Sequence, residues 1–384
     1  MEERVFWLAW AQISGVGPIL LKRLQNHFIS LSAAWEASPN QLREVEGFGN
    51  KTVQAVVEKR AKIDPEKLLK QHLEKNPNFW TPADPEYPRL LLEIPNPPPV
   101  LYYRGKPQLS ENQGITPTIG IVGTRSLSEY GKRWTRKISA ALAKQGFTIV
   151  SGMAEGIDTE AHDACLEVGG RTLAVLGTGV DVVYPPSNRR LYDRILENGL
   201  VLSEYIAGTQ PNRTNFPPRN RIIAGLSRAV LVMEAPNKSG ALITADYTKD
   251  LQRDIYVLTA RLEDYNSHGC LKLLNKGANA IPVEFDQLLT MLGAKPVADK
   301  ADFSSLPLFN QPQIERSPTP IQPPTPELEP DLKQVFQTLT TEPLSFDLIV
   351  QQSGLAASVV SSALLQLELM GLVTQLPGMR YQKC

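Results

Sequence analysis

The sequence predicts an α/β protein: a Rossmann-like, mostly parallel sheet with helices on both faces. An N-terminal helical domain of helix–hairpin–helix (SAM-like) type and a C-terminal winged-helix domain flank it. Three observations carry this expectation. Six short apolar runs alternate with helical stretches across residues 115–292, the pattern of strands linked by helical crossovers. Two Gly-hydrophobic-Gly segments interrupt helical stretches near the start. A proline-rich segment separates the last stretch from the rest.

A length of 384 residues exceeds a usual single domain, so the chain is divided into 1–78 (helical), 79–292 (the core with its lead-in), 293–327 (linker) and 328–384 (winged-helix-like). The opening Met1-Glu2-Glu3-Arg4 lacks the pattern of a secretory signal. No apolar run has the length of a membrane span, so a cytoplasmic protein without membrane partners is expected. The three cysteines, Cys165, Cys270 and Cys384, form no CxxC pair, and only four histidines occur. Neither a disulfide framework nor a metal centre is therefore expected.

Taken in order, Ile13-Ser14-Gly15-Val16-Gly17-Pro18 and Val45-Glu46-Gly47-Phe48-Gly49-Asn50 read as hairpins between helices. Glycine permits the tight turn, and the following helix start offers bare N–H groups to a phosphate; a compact hairpin without DNA contact fits the same residues. Prolines from Pro85 to Pro99 exclude helix and central strand, and predict an extended connector along the core. The strands then fall at 119–123, 148–152, 172–177, 200–203, 229–233 and 255–258. Pro296, Pro307, Pro312, Pro318, Pro320, Pro323, Pro324 and Pro326 make the linker extended and semi-rigid. Beyond it, helices over 332–339, 345–352 and 356–370 precede a hairpin wing. Lys333, Arg380 and Lys383 face an excess of acids, Glu329, Asp331, Glu342, Asp347 and Glu368. Such a winged helix suits a protein partner better than duplex DNA.

Three loops at strand carboxyl ends carry the candidate site: Gly123-Thr124-Arg125-Ser126, Ser151-Gly152 onward to Asp158, and Glu234 through Lys238-Ser239-Gly240. Each sets glycine and a hydroxyl residue before a helix, where open N–H groups and the helix dipole favour an anion. Arg125 and Lys238 add full charges. Lys+Arg and Asp+Glu both number 40, which argues against a uniformly basic surface. Between Glu204 and Glu234, however, lie Arg213, Arg219, Arg221 and Arg228 and no acid; a local stripe binds phosphates, and pairing with carboxylates is the competing role.

A dinucleotide enzyme would show GxGxxG after the first strand. GTRSLS lacks two of the glycines, and Gly177-Thr178-Gly179 follows the third strand. Asp158 and His162 share a helix face; a cap for the first and packing for the second is the expected arrangement, a metal or acid–base pair the alternative. Glu204 and Glu234 are expected to pair with the arginines that follow them. Arg219 and Arg221 stand two apart, so one is expected at the phosphates and the other inside, paired with Glu204, Glu234 or Asp181. No catalytic residue and no cofactor is assigned.

The segments IVGTRSLSEYG (121–131), SGMAEGIDTEAH (151–162), VLGTGVDVVYPPSN (175–188), FPPRNRIIAGLS (216–227) and EAPNKSGALITA (234–245) resemble the DNA-processing protein A family, DprA, also called Smf. DPEYPRLLLEIPNPPPVLYYRG (84–105) resembles its lead-in, and the likeness covers most of 84–282. The resemblance implies a non-enzymatic, homodimeric single-stranded DNA-binding protein that protects incoming strands and loads the RecA recombinase in natural transformation and recombination. It makes Arg125, Lys238, Arg219 and Arg221 phosphate contacts, Ser151, Gly152, Ser239 and Gly240 points of close backbone approach, and Gly123, Thr124, Ser126 and Asn220 members of the same site. The sequence departs from the family where Gln252-Arg253 replaces Gly-Arg, Thr259-Ala260 replaces Pro-Gly, and Ser267-His268-Gly269-Cys270 lacks the usual asparagine. A nucleotide-cleaving phosphoribohydrolase on the same fold is the alternative, although its Pro-Gly-Gly-x-Gly-Thr loop has no match here.

Overall fold

The computed structural model describes residues 2–293, 330–339, 344–369, 372–376 and 380–383. The linker over 294–327 and the tip of the wing lie outside them. The chain divides into two compact units, Met1–Leu308 and Phe309–Cys384.

In the first unit the six expected strands join three further ones in a nine-stranded sheet. They are β1 (Phe79–Trp80), β2 (Leu101–Gly105), β3 (Thr118–Val122), β4 (Thr148–Ser151), β5 (Thr172–Leu176), β6 (Leu200–Ser203), β7 (Ala229–Val232), β8 (Asp254–Val257) and β9 (Asn279–Ala280). Their order is β1-β2-β6-β5-β4-β3-β7-β8-β9. β3 to β9 pair in parallel, while β2 runs antiparallel to β6 and to β1. The proline-rich lead-in is thus more than a connector. Its last residues, past Pro99, are free of proline and form β2, which pairs between β6 and the edge strand β1. The strand order reverses between β3 and β7, which makes their carboxyl ends the switch point of the sheet.

Alternate residues of the strands feed two cores. Val122, Val150, Val175 and Val230 pack with Ile222 and Ile223 on one face. Ile119, Ile121, Ile149 and Leu231 pack with Ile138, Leu142 and Ile157 on the other. Burial on both faces is what a parallel sheet covered by helices requires.

The N-terminal helices enclose a core of their own around Trp7, Trp10, Leu21, Leu24 and Trp35. They also belong to this unit: Leu8 packs with Phe79, Tyr102 and Val201, and Lys22 Nζ donates to Ile94 O at 3.1 Å. Gly15 and Gly47 take φ of 88° and 91°, so both hairpins turn where the glycines allow it. Helices Pro18–Phe28 and Asn50–Arg60 follow, capped by Gly17 and Gly49 without a side-chain hydrogen bond.

The second unit is a winged helix. Helices Pro330–Thr338, Phe346–Ser353 and Ala357–Leu369 pack with a three-stranded sheet of Leu344–Ser345, Arg380–Lys383 and Val373–Leu376. Its core is built from Leu332, Val335, Ile349, Val360, Leu364 and Leu367. Among the described residues no helix is long and apolar enough to cross a membrane.

Candidate functional site

The three glycine loops meet at the switch point. Thr124 ties them together: its N–H donates to Glu234 O at 2.7 Å, and its own carbonyl accepts from Ile157 N at 3.1 Å. Gly156 makes the approach possible, because its φ is 84° and a Cβ there would stand 2.4 Å from Thr124 O and 2.6 Å from Arg125 O. The loops and the first turn of helix Phe216–Leu226 bound a cavity of about 320 Å³. Gly123, Thr124, Arg125, Arg219, Asn220, Ser239 and Gly240 all line it. Asn220 bridges two walls, its Nδ2 donating to Gly240 O at 3.2 Å.

The floor is buried. Arg219 is 5% exposed and donates to Gly152 O at 2.9 Å and to Val175 O. Burial lowers its pKa to about 10, with the Asp158 carboxylate opposing and the Arg125 charge assisting. Asp158 accepts from Gly152 N at 3.1 Å and Ala154 N at 3.4 Å. Burial raises its pKa, against the pull of Arg219. His162 is also interior. Thr172 Oγ1 donates to Ile149 O at 2.8 Å and lies 2.6 Å from His162 Nδ1, so Nδ1 donates to that hydroxyl. Burial and then the Arg219 charge lower its pKa to about 3. The packed, hydrogen-bonded role expected for His162 holds, but Asp158 is not the helix cap that was expected: Gly156 holds the N-cap position without a side-chain hydrogen bond, and Asp158, one residue inside the helix, instead binds the preceding loop.

The rim is open. Arg125 is exposed, with its guanidinium 5.9 Å from the centroid of the Phe216 ring. Lys238 is exposed one residue before the Ser239 cap of helix Gly240–Asp250. Phe216 and Tyr184 were not expected at the site. Their rings lie 5.5 Å apart and line a cleft of about 60 Å³ with Arg125, Gly152, Glu155 and Arg219. Gly177 makes room for this ring, since a Cβ there would meet Phe216 Cδ1 at 2.7 Å. The aromatic residue three positions before Arg219 was the available signal.

Several expectations need correction. Arg221 is not the phosphate contact that the resemblance implied; it is the inside member expected of the pair, 5% exposed and gripping Glu204 through two bonds of 2.8 and 2.7 Å. Arg219, its companion two residues away, does not resemble Arg125 either, because it is equally buried. Among the described residues Glu234 pairs with no arginine. Its carboxylate accepts from the Ser128 N–H at 2.8 Å and from the Ser128 hydroxyl, at the start of helix Glu129–Lys144. An internal anion therefore occupies the helix start that had been reserved for phosphate. Asp181 is likewise bound to a backbone group, Gly208 N, at 2.8 Å. Ser151 is fully buried and donates to Ile121 O at 2.6 Å, so it offers no close backbone approach. Ser126 is exposed beside the cavity, its carbonyl accepting from Asn266 Nδ2 at 2.9 Å. The arginine stripe is also dispersed. Arg228 N bonds Thr118 O at the opposite end of the strands, and Arg213 is exposed on the loop before the helix.

One departure from the family pattern has a visible consequence. Gln252 takes φ of 55°, a conformation that glycine adopts without cost, and Arg253 after it closes the end of helix Phe216–Leu226 by donating to the carbonyls of Ala224, Gly225 and Ser227.

Comparison with known proteins places these features in a family. The family described as DNA recombination-mediator protein A matches residues 78–293, the DprA winged helix domain residues 318–379, and the SAM-like helix-hairpin-helix tandem residues 10–62. Protein Smf of Synechocystis sp. is 52% identical over 100% of this chain and 99% of its own length. DNA processing protein DprA of Streptococcus pneumoniae is 41% identical over 62% of this chain and 82% of its own. A crystal structure of the pneumococcal protein superposes with a TM-score of 0.63 at 35% identity, covering 73% of this chain and 94% of that one. DNA processing protein A of Helicobacter pylori, solved to explain that protein's single-stranded DNA binding mode, gives 0.50 at 31% identity, covering 56% and 95%. With its sheet, its helical start and its winged helix all matched, the chain belongs to the DNA recombination-mediator protein A family, DprA or Smf.

Proposed function

We propose that the chain binds single-stranded DNA in the switch-point cavity and acts on it by holding it. The observation that carries this reading is the convergence of Arg125 and the Ser239–Gly240 helix start on one cavity whose neighbouring cleft is walled by Phe216 and Tyr184. Cations and a helix start suit phosphates, and an aromatic wall suits an unpaired base, whose stacking contributes ~1–3 kcal/mol. The Helicobacter relative's binding mode supports the same ligand. Asp158, Glu204 and Glu234 are each committed to internal partners, which favours a binder over a phosphoribohydrolase. Anisotropy titrations with single- and double-stranded oligonucleotides test the reading: preference for single strands is expected, and equal or absent binding overturns it. Release of base from nucleoside monophosphates would establish the enzyme instead.

In the same reading the chain works in the cytoplasm as a homodimer, whose paired cavities hold a longer strand by avidity. It passes that strand to RecA during transformation or recombination. Sedimentation at micromolar concentration is expected to show twice the chain mass, and the chain is expected to speed RecA filament assembly on single strands. A strict monomer, or unchanged assembly, removes the corresponding part.

A further inference from the structure

The cavity does not end at the third loop. Ser239, Gly240 and Ile243 line it on one side and also line a groove of about 440 Å³ on the other. Lys238, Lys272 and Lys276 border this groove, with Asp246 as the single carboxylate among its lining residues. Lys272 lies on helix His268–Asn275 and Lys276 just beyond it; four positions apart they stand one turn from each other, ~6 Å between Cβ atoms. All three lysines are exposed, and among the described residues none pairs with a carboxylate. Three cations gathered around one carboxylate leave a net positive groove, and a polyanion laid between them relieves their repulsion.

We propose that the bound strand leaves the cavity over Ser239–Gly240 and continues along this groove, its phosphates on Lys238, Lys272 and Lys276. The inference rests on the single-strand reading above and adds the direction in which the strand extends. It also gives the two ends of the track different chemistry. On the far side of the cavity, Tyr184 and Phe216 face a base. The lysine groove is lined by no aromatic side chain, so it holds backbone alone and is indifferent to sequence. Asp246 sets a limit on its affinity by repelling the strand.

The test uses the full chain and fluorescein-labelled oligothymidylates of about 6 and about 16 nucleotides, the span of compact single-strand sites. For Lys272→Ala/Lys276→Ala, the salt dependence of binding the longer oligonucleotide is expected to flatten by ~1.4 log units, about 0.7 for each phosphate contact, with the shorter one unaffected. Lys272→Arg/Lys276→Arg is expected to retain the original slope, and Asp246→Asn to tighten the longer oligonucleotide alone. An unchanged slope in the alanine variant, with binding still dependent on Arg125, overturns the track and leaves the cavity reading standing. A changed sedimentation mass with an unchanged slope assigns the lysines to a protein–protein face and overturns it equally. Failure of the unsubstituted chain to bind either oligonucleotide overturns the cavity reading itself.

Discussion

Arg125 and Arg219 approach one aromatic ring, each with its guanidinium 5.9 Å from the Phe216 centroid. Their surroundings divide the site into two regions. Arg219 belongs to a floor held by hydrogen bonds made inside the fold: Gly152 O, Val175 O and Asn220 Oδ1 accept from it, and Asp158 balances its charge. Arg125 belongs to a rim facing water. A charge in the floor has already lost its hydration, so its removal strands its neighbours; a charge on the rim has lost nothing until a ligand arrives. The same residue type thus shapes the site in one region and binds in the other.

The sharpest way to break this division is Arg221→Ala, at a buried position outside the cavity. The change leaves the Glu204 carboxylate, whose side chain is 15% exposed, without its paired cation, and loss of one partner of a buried pair costs about 3–5 kcal/mol. Chemical denaturation is expected to show that loss, while the folded fraction binds single strands with the original salt slope. A fully stable variant with altered binding would move Arg221 to the rim.

Two glycines sharpen the comparison at smaller amplitude. A Cβ at Gly152 would stand 2.8 Å from both Arg219 Nη2 and Asp158 Oδ2. Gly152→Ala is expected to overpack the floor and lower stability by about 1–3 kcal/mol. At Gly240 a Cβ meets nothing within 4 Å, so Gly240→Ala is expected to leave stability within ~0.5 kcal/mol and to weaken binding only. Equal stability losses in both would erase the distinction between floor and rim.

How far this division was legible in the sequence depends on the physical range of each signal. Strand positions were legible because Ile119–Val122 and its counterparts are short apolar runs between glycine turns, a local pattern. The meeting of three loops followed from the rule that parallel sheets bind ligands at strand carboxyl ends. Which arginine faced water was not legible. It depends on Glu204, 17 residues from Arg221, and on carbonyls of β5 and the β4 loop that reach Arg219 only after the sheet has formed. Glu234 was misassigned for the same reason: its partner Ser128 is 106 residues away. Strand β2 was hidden by the prolines before it.

The floor also predicts a pH dependence. An unfolded chain protonates His162 below about pH 6.5, whereas folded His162 stays neutral down to about 3. Unfolding takes up a proton between these limits, so stability falls as pH falls through this window, by ~1.4 kcal/mol per unit. The half-buried His72 is shifted the same way by burial, and Asp158, raised by burial, opposes the trend toward the acid end. Comparing His162→Gln with the unsubstituted chain between pH 6.5 and 5 isolates the one residue. The variant is expected to lose that share of the slope, and an unchanged slope would mean that His162 is charged inside the fold.

The rim gives the smallest effect on stability and the most direct test of function. Arg125 and Lys238 are exposed, and no carboxylate among the described residues pairs with either. Arg125→Ala and Lys238→Ala are therefore each expected to leave unfolding within ~0.5 kcal/mol of the original. Each removes one cation from the phosphate path, so the slope of log affinity against log salt is expected to flatten by about 0.7 for a single strand. The loss should be the same for thymine- and adenine-rich oligonucleotides, because phosphate contacts carry no sequence information. Phe216→Leu provides the contrast: it keeps both charges and removes the stacking face, so affinity should fall with the salt slope intact. If both charge variants keep the original slope, the strand is held elsewhere. If either lowers stability by several kcal/mol, the rim has internal partners like the floor, and the division between the two regions fails at the residues on which it was drawn.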